Sequence, residues 1–104
     1  MEERQYKLRY LPLFRSDLRD IIEYIANQLN NPAAAENLLD AVEAAIQERT
    51  TCAEAFEPYH SKKERSQVYY RIYVGNYTVY YVVDGDVMEI RRILYNKRNT
   101  SSLL

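Results

Sequence analysis

Residues 69–98 read YYRIYVGNYTVYYVVDGDVMEIRRILYNKR, and this stretch decides the fold. Val68 to Val74 alternates with a period of two, Gly75-Asn76 is a two-residue hairpin signal, Tyr77 to Val83 alternates again, and Asp84-Gly85-Asp86 supplies a second turn. A third strand from Val87 to about Leu94 completes an antiparallel meander. Its phase is imperfect. Met88, Ile90 and Leu94 share a face with Arg92, while Ile93 shares one with Glu89 and Arg91, which points to a β-bulge at the arginines. Tyr69, Tyr70, Tyr73, Tyr77, Tyr80 and Tyr81 crowd the first two strands. Such rings ordinarily pack on a sheet with a wet tip, and on an open face they stack on bases or anchor a protein partner.

Upstream the period changes. Tyr6, Leu8 and Tyr10 alternate with Lys7 and Arg9 as a half-buried strand, which Pro12 ends. Leu18, Ile21, Ile22, Ile25 and Leu29 then form one helical stripe, and Asp17, Asp20 and Glu23 are read as early acids that complement the helix dipole. Asn30-Asn31-Pro32 is a stop and restart, with Asn31 as N-cap and Pro32 at the first helical position. Ala35, Leu38, Leu39, Val42, Ala45, Ile46 and Arg49 mark a second helix antiparallel to the first. From Thr50 to Gln67 periodicity fades, and His60 to Ser66 reads as an exposed loop that Phe56 and Tyr59 pin to the core. The order strand, helix, helix, three strands predicts one α+β domain over residues 1–104. Its helical hairpin covers one face of an antiparallel sheet and leaves the other face open, and residues 99–104 form a tail ordered on binding.

Charge divides the chain. Residues 1–59 carry six Lys/Arg against eleven Asp/Glu, and residues 60–104 carry eight against four. Cations clustered on a rigid sheet focus potential toward an anionic partner, nucleic acid first. The single Cys52 and single His60 exclude an internal disulfide and the usual zinc sets. No Gly-rich phosphate loop or nucleophile elbow is present, so no metal or cofactor is expected. No apolar run approaches a membrane span, so no membrane contact is expected and a cytoplasmic setting is the default.

What remains for chemistry is a set of cations and phenols at strand positions. Arg71 is on the first meander strand, Tyr81 on the second and Arg91 and Arg92 on the third, with Tyr95, Lys97 and Arg98 at or beyond its end. Gathered on one patch, arginines would neutralise the transition state when an RNA 2′-hydroxyl attacks the adjacent phosphorus. The proton-transfer partners are less defined. His60 in a polar loop is ordinarily solvated, and Glu89 is ordinarily a cross-strand partner for an arginine.

The segments YLPLFRSDLRDIIEYI (residues 10–25), LNNPAAAENLLDAVEAAI (29–46), YRIYVGNYTVYYVVDGD (70–86) and MEIRRILYNKRN (88–99) together resemble the RelE/ParE superfamily of toxins from type II toxin-antitoxin modules. The resemblance implies a RelE-like fold and a toxin held inactive by a small, acidic, partly disordered antitoxin. It implies either of two actions. The first is ribosome-dependent mRNA cleavage without a metal, with Arg71, Tyr95 and Arg98 as catalytic residues. In that reading Thr78 stands where RelE-type members carry an arginine, and no tyrosine follows Arg98. The alternative is ParE-type inhibition of DNA gyrase by binding alone. In both, Lys97, Arg92, Tyr81, Lys62 and Lys63 are expected to contact the target. Arg71, Tyr95, Lys97 and Arg98 are expected to share one basic surface on the side of the sheet away from the helices.

Overall fold

The computed structural model describes residues 5–56, 58 and 67–96. Strand β1 spans Lys7–Tyr10, helix α1 Pro12–Glu23 and helix α2 Pro32–Arg49; strands β2, β3 and β4 span Tyr70–Val74, Tyr77–Asp84 and Val87–Tyr95. Gly75 and Gly85 take positive φ of +58° and +62° in the two turns, a conformation that costs glycine least. β2, β3 and β4 form the expected antiparallel meander, but the sheet order is β1-β4-β3-β2 and β1 runs parallel to β4. The sheet is therefore mixed rather than wholly antiparallel. β1 fills the open ladder of β4, and the backbone N–H groups of Lys7 and Leu11 extend the pairing by donating to the Asp86 and Ile90 carbonyls.

The bulge falls where the phase of the sequence broke. Tyr81 pairs with Ile90 while Tyr80 pairs with Arg92, so Arg91 and Arg92 together oppose one residue. That extra residue restores the inward phase, and Met88, Ile90 and Ile93 all reach the core with almost no exposure.

Both helices pack on one face of the sheet. Val42 and Ile46, one turn apart on α2, are buried with Phe14 of α1 against Ile72, Val79, Tyr81, Met88, Ile90 and Ile93. Fully burying an aliphatic side chain of this size contributes about 1.5–3 kcal/mol. The other face is not bare, contrary to expectation. Tyr69, Tyr80, Val82 and Leu94 form a second buried cluster there.

Helix α2 starts as its sequence predicts, with Asn31 Oδ1 accepting from the Ala34 N–H at 3.1 Å and Pro32 in the first turn. α1 differs at both ends. Leu11 occupies its N-cap without a side-chain hydrogen bond, and no acid lies in its first turn, because Asp17 is already the sixth helical residue. At the other end the helix widens into a π-helical turn, Tyr24–Gln28, and the Leu29 N–H donates to the Tyr24 carbonyl. The wider turn rotates the chain beyond it. Ile25 stays buried, whereas Leu29, placed on the same stripe by simple periodicity, is 55% exposed. Asn30, at φ +49°, then reverses the chain. Phe56 is also exposed rather than in the core, its ring covered by the Arg49 guanidinium at 3.5 Å.

Candidate functional site

The strand register separates the residues expected to act together. Arg71 pairs with Tyr80, a member of the cluster on the face away from the helices. Tyr95 pairs with Tyr77, whose ring packs against the core on the helical side. Arg71 and Tyr95 therefore project from opposite faces, with all of β3 between their strands. Of the four residues anticipated on one surface, these two do not share a face, and Lys97 and Arg98 lie outside the described residues.

Arg71 lies within 5.6 Å of the Tyr73 ring centroid. Its carbonyl, on the outer edge of β2, accepts from Arg49 Nη1 at 3.0 Å. Arg49 gained no functional weight from the sequence, where it only closed a helical stripe. In the fold its guanidinium also donates to Tyr81 Oη at 3.1 Å, so it ties α2 to two strands. Tyr81 is fully buried, and its hydroxyl donates to the Ala53 carbonyl at 2.6 Å. Burial raises the Tyr81 pKa above the ordinary value, opposed by Arg49. Tyr81 is a core residue, which corrects the expectation that it contacts a target: an approaching molecule cannot reach it.

Arg92 is likewise engaged. The bulge turns it toward α1, where Nε and Nη2 donate to the two Asp17 oxygens at 2.7 and 2.9 Å. Asp17 Oδ2 also accepts the Ile93 backbone N–H at 3.2 Å. Hydrogen bonding to Asp17 raises the Arg92 pKa, with burial acting in the opposite sense. Such a bidentate, largely buried pair holds the bulge against the helix instead of presenting a free cation. No feature of the sequence singled out Asp17 for this role. Tyr59, His60, Lys62, Lys63, Lys97, Arg98 and the tail at 99–104 lie outside the described residues.

On the face away from the helices, cations alternate with acids. Arg9 Nε donates to Glu89 Oε1 at 2.8 Å, Arg91 lies 3.6 Å from the other Glu89 oxygen, and Lys7 lies 3.6 Å from Asp86. Glu89 is thus the cross-strand partner of an arginine, as its position suggested. Among the described residues no group of three or more His, Cys, Asp or Glu side chains is placed to hold a metal, and no helix is long and apolar enough to cross a membrane.

Two concavities flank α1, and their chemistry differs. Between α1 and α2 runs a groove of about 560 Å³ floored by Phe14, Leu18, Leu39, Val42 and Ile46, with Arg15 and Arg19 of α1 and Glu43 of α2 on its rim. On the other side of α1, a cleft of about 630 Å³ lies between the π-helical turn and the ends of β3 and β4. Tyr24, Tyr77 and Tyr95 line it, with Asp17 and Asp20 from α1. Tyr77 and Tyr95 meet edge to face, their centroids 5.6 Å apart. Burial first, and then the neighbouring Tyr95 and Tyr24 phenols, raise the Tyr77 pKa. The end of β4 is anchored beside this cleft. The Asn96 N–H donates to the Asn76 carbonyl at 2.9 Å, and Thr78 Oγ1 donates to Asn96 Oδ1 at 2.5 Å.

The chain matches a family model over residues 8–100, that of the ParE toxin of type II toxin-antitoxin system, parDE. Its fold is similar to a chain of the chromosomal ParDE TA system from P. aeruginosa, with a TM-score of 0.70 at 15% identity over 88% of this chain and 97% of that one. It is also similar to a chain of the archaeal RelE-RelB complex from Pyrococcus horikoshii OT3, with a TM-score of 0.53 at 17% identity over 90% of this chain and 98% of that one. No curated protein gives a significant sequence match.

Proposed function

This chain belongs to the ParE toxin family of type II toxin-antitoxin systems, and we propose that it arrests growth by binding DNA gyrase, cutting no bond, while a cognate antitoxin holds it inactive. The observation that carries this reading is the placement of Arg71 and Tyr95 on opposite faces of the sheet. In-line RNA cleavage requires a cation on the phosphate and a proton donor or acceptor within hydrogen-bond reach of the same reacting atoms. Strands β2 and β4 are two inter-strand spacings apart, roughly 10 Å, before the opposed directions of the side chains are counted. Arg92 is committed to Asp17, and Thr78, neutral, donates to Asn96. Inhibition by binding makes no such demand on geometry.

The interhelical groove supports the antitoxin half of the reading. Its apolar floor and the Arg15 and Arg19 that outnumber Glu43 on its rim suit an amphipathic helix with an acidic flank toward α1, supplied by a segment that orders on binding.

Two assays on purified toxin test the proposal side by side. Supercoiling by gyrase is expected to fall with toxin concentration, and translated mRNA is expected to remain uncut. Codon-positioned cleavage with gyrase unaffected would overturn the binding mechanism in favour of ribonuclease action.

A further inference from the structure

The cleft on the acidic side of α1 has the composition of a cation receptor. Three phenol rings converge on it: Tyr24 at 51% exposure, Tyr95 at 36%, and Tyr77 in edge contact with Tyr95. The face of each ring carries negative quadrupole density, which attracts an ammonium or guanidinium group within about 6 Å. Asp20, exposed on α1, adds a full negative charge at the rim. The other lining carboxylate, Asp17, is already neutralised by Arg92 from outside the cleft, and among the described residues lining the cleft there is no Lys or Arg. Leu29 and Ile21 supply apolar wall. Aromatic rings, the Asp20 carboxylate and aliphatic walls fit a side chain with a long apolar stem and a cationic head. The volume of about 630 Å³ falls within the range of pockets that bury a ligand.

The π-helical turn builds this site. By inserting an extra residue into the turn after Tyr24, it leaves Leu29 exposed beside Tyr24 and facing the cleft while Ile25 still enters the core. Such turns are conformationally costly and cluster at functional positions. Here the turn exposes Leu29, which an uninterrupted helix would have carried along the buried stripe, next to Tyr24 on the outer side of the helix.

We propose that the Tyr24–Tyr77–Tyr95 cleft, rimmed by Asp20, is the docking site for a Lys or Arg of the cognate antitoxin, presented from a segment with apolar neighbours. The proposal rests on the reading of this chain as a toxin held by an antitoxin. Charge complementarity selects the occupant. The groove on the other side of α1 carries Arg15 and Arg19 on its α1 wall against a single Glu43 on α2, so its α1 side favours acids. An antitoxin that crosses α1 would therefore carry acidic residues on one side of the crossing and a cation on the other. Opposite demands on the two sides of one helix also fix the direction and register of the bound segment, and they reject an antitoxin with the reverse pattern.

The test is the affinity of full-length antitoxin, encoded by the adjacent reading frame, for full-length toxin. Asp20→Asn and Tyr24→Ala are each expected to weaken binding by about tenfold, Tyr24→Phe to leave it near wild type, and Tyr73→Ala on the opposite face to leave it unchanged. The deficit of Asp20→Asn should shrink as salt rises, since the lost attraction is screened in the wild type too. Neutralising the antitoxin's Lys and Arg residues one at a time to Gln should reproduce the loss at a single position and add nothing to Asp20→Asn. If affinity ignores Asp20→Asn and every such neutralisation, the cleft takes no cation and the proposal fails, even where Tyr24→Ala weakens binding through lost apolar area. An adjacent-frame protein that does not bind the wild-type chain would overturn the antitoxin reading, and this proposal with it. The gyrase assay reads a different complex and can succeed or fail independently.

Discussion

Arg92 of β4 and Asp17 of α1, 75 positions apart in the chain, are joined by two parallel charge-assisted hydrogen bonds at 2.7 and 2.9 Å. Their side chains are only 15% and 13% exposed, so neither charge is well solvated once the other is gone. Asp17→Ala is expected to destabilise the fold by on the order of 3 kcal/mol, because it strands the Arg92 guanidinium and frees the Ile93 N–H as well. Urea unfolding followed by circular dichroism measures this. A loss below about 0.5 kcal/mol would mean that the pair behaves like one on the open surface.

Arg49 joins α2 to the sheet through the Arg71 carbonyl and the Tyr81 hydroxyl, and it covers Phe56. Arg49→Met keeps the stem and removes the donors, with an expected cost of about 2 kcal/mol from two hydrogen bonds and one ring contact. It also uncovers the outer carbonyl of β2 at a sheet edge, where another strand can pair. Light scattering at rising concentration should therefore show the variant associating where the wild type does not, and equal scattering would rule out the edge-capping role.

Three tyrosines, Tyr10, Tyr77 and Tyr81, have pKa values raised above 10.0, in each case by burial first. The folded state therefore holds these protons after the unfolded chain has released them. Their contribution to stability is complete below the unfolded tyrosine value and is lost as pH climbs through the folded values. Melting temperature should accordingly drop as pH rises above 10.0. Tyr81→Phe should lower stability by about 1–2 kcal/mol at neutral pH, because the Ala53 carbonyl and Arg49 lose a partner, yet flatten the alkaline decline. A decline as steep as in the wild type would show that the other ionisations dominate.

Growth arrest separates the mechanisms at a single atom. Tyr95→Phe removes only the phenolic oxygen and keeps the edge contact with Tyr77. Under gyrase binding, expression of this variant without antitoxin should still arrest growth, whereas a ribonuclease that uses Tyr95 for proton transfer would lose about 10²-fold or more of its rate. Colony counts after induction decide between them.

Arg98→Ala tests the basic terminus. Both actions implied by the family resemblance use that end of the chain, so the variant should relieve arrest without changing the melting temperature. Full toxicity of a folded Arg98→Ala protein would remove Arg98 from the site.

Where the sequence carried a local signal, the fold obeyed it. Asn31-Pro32 began a helix because a side-chain oxygen three residues before an amide is a local geometric fact. Gly75 and Gly85 turned the chain because positive φ is a property of one residue. The broken alternation around Arg91 and Arg92 announced the bulge that Tyr80 and Tyr81 now face. Leu29 misled because a π-helical turn leaves no mark in a 3.6-residue stripe, and the acids of α1 misled because their partner lies 75 residues away.

The amino-acid order by itself determined the elements, their sequence, the helical hairpin on one face of a meander, and the family, since all of these depend on short-range periodicity, turn chemistry and motif spacing. Only the tertiary structure decided which residues meet. It set β1 parallel beside β4, buried Tyr81, spent Arg92 on Asp17, sent Arg71 and Tyr95 to opposite faces, and opened a tyrosine cleft behind α1. The reason is strand register: a single bulged residue or a one-place shift in pairing moves a side chain from one face of a sheet to the other at almost no local cost, and packing at a distance makes the choice.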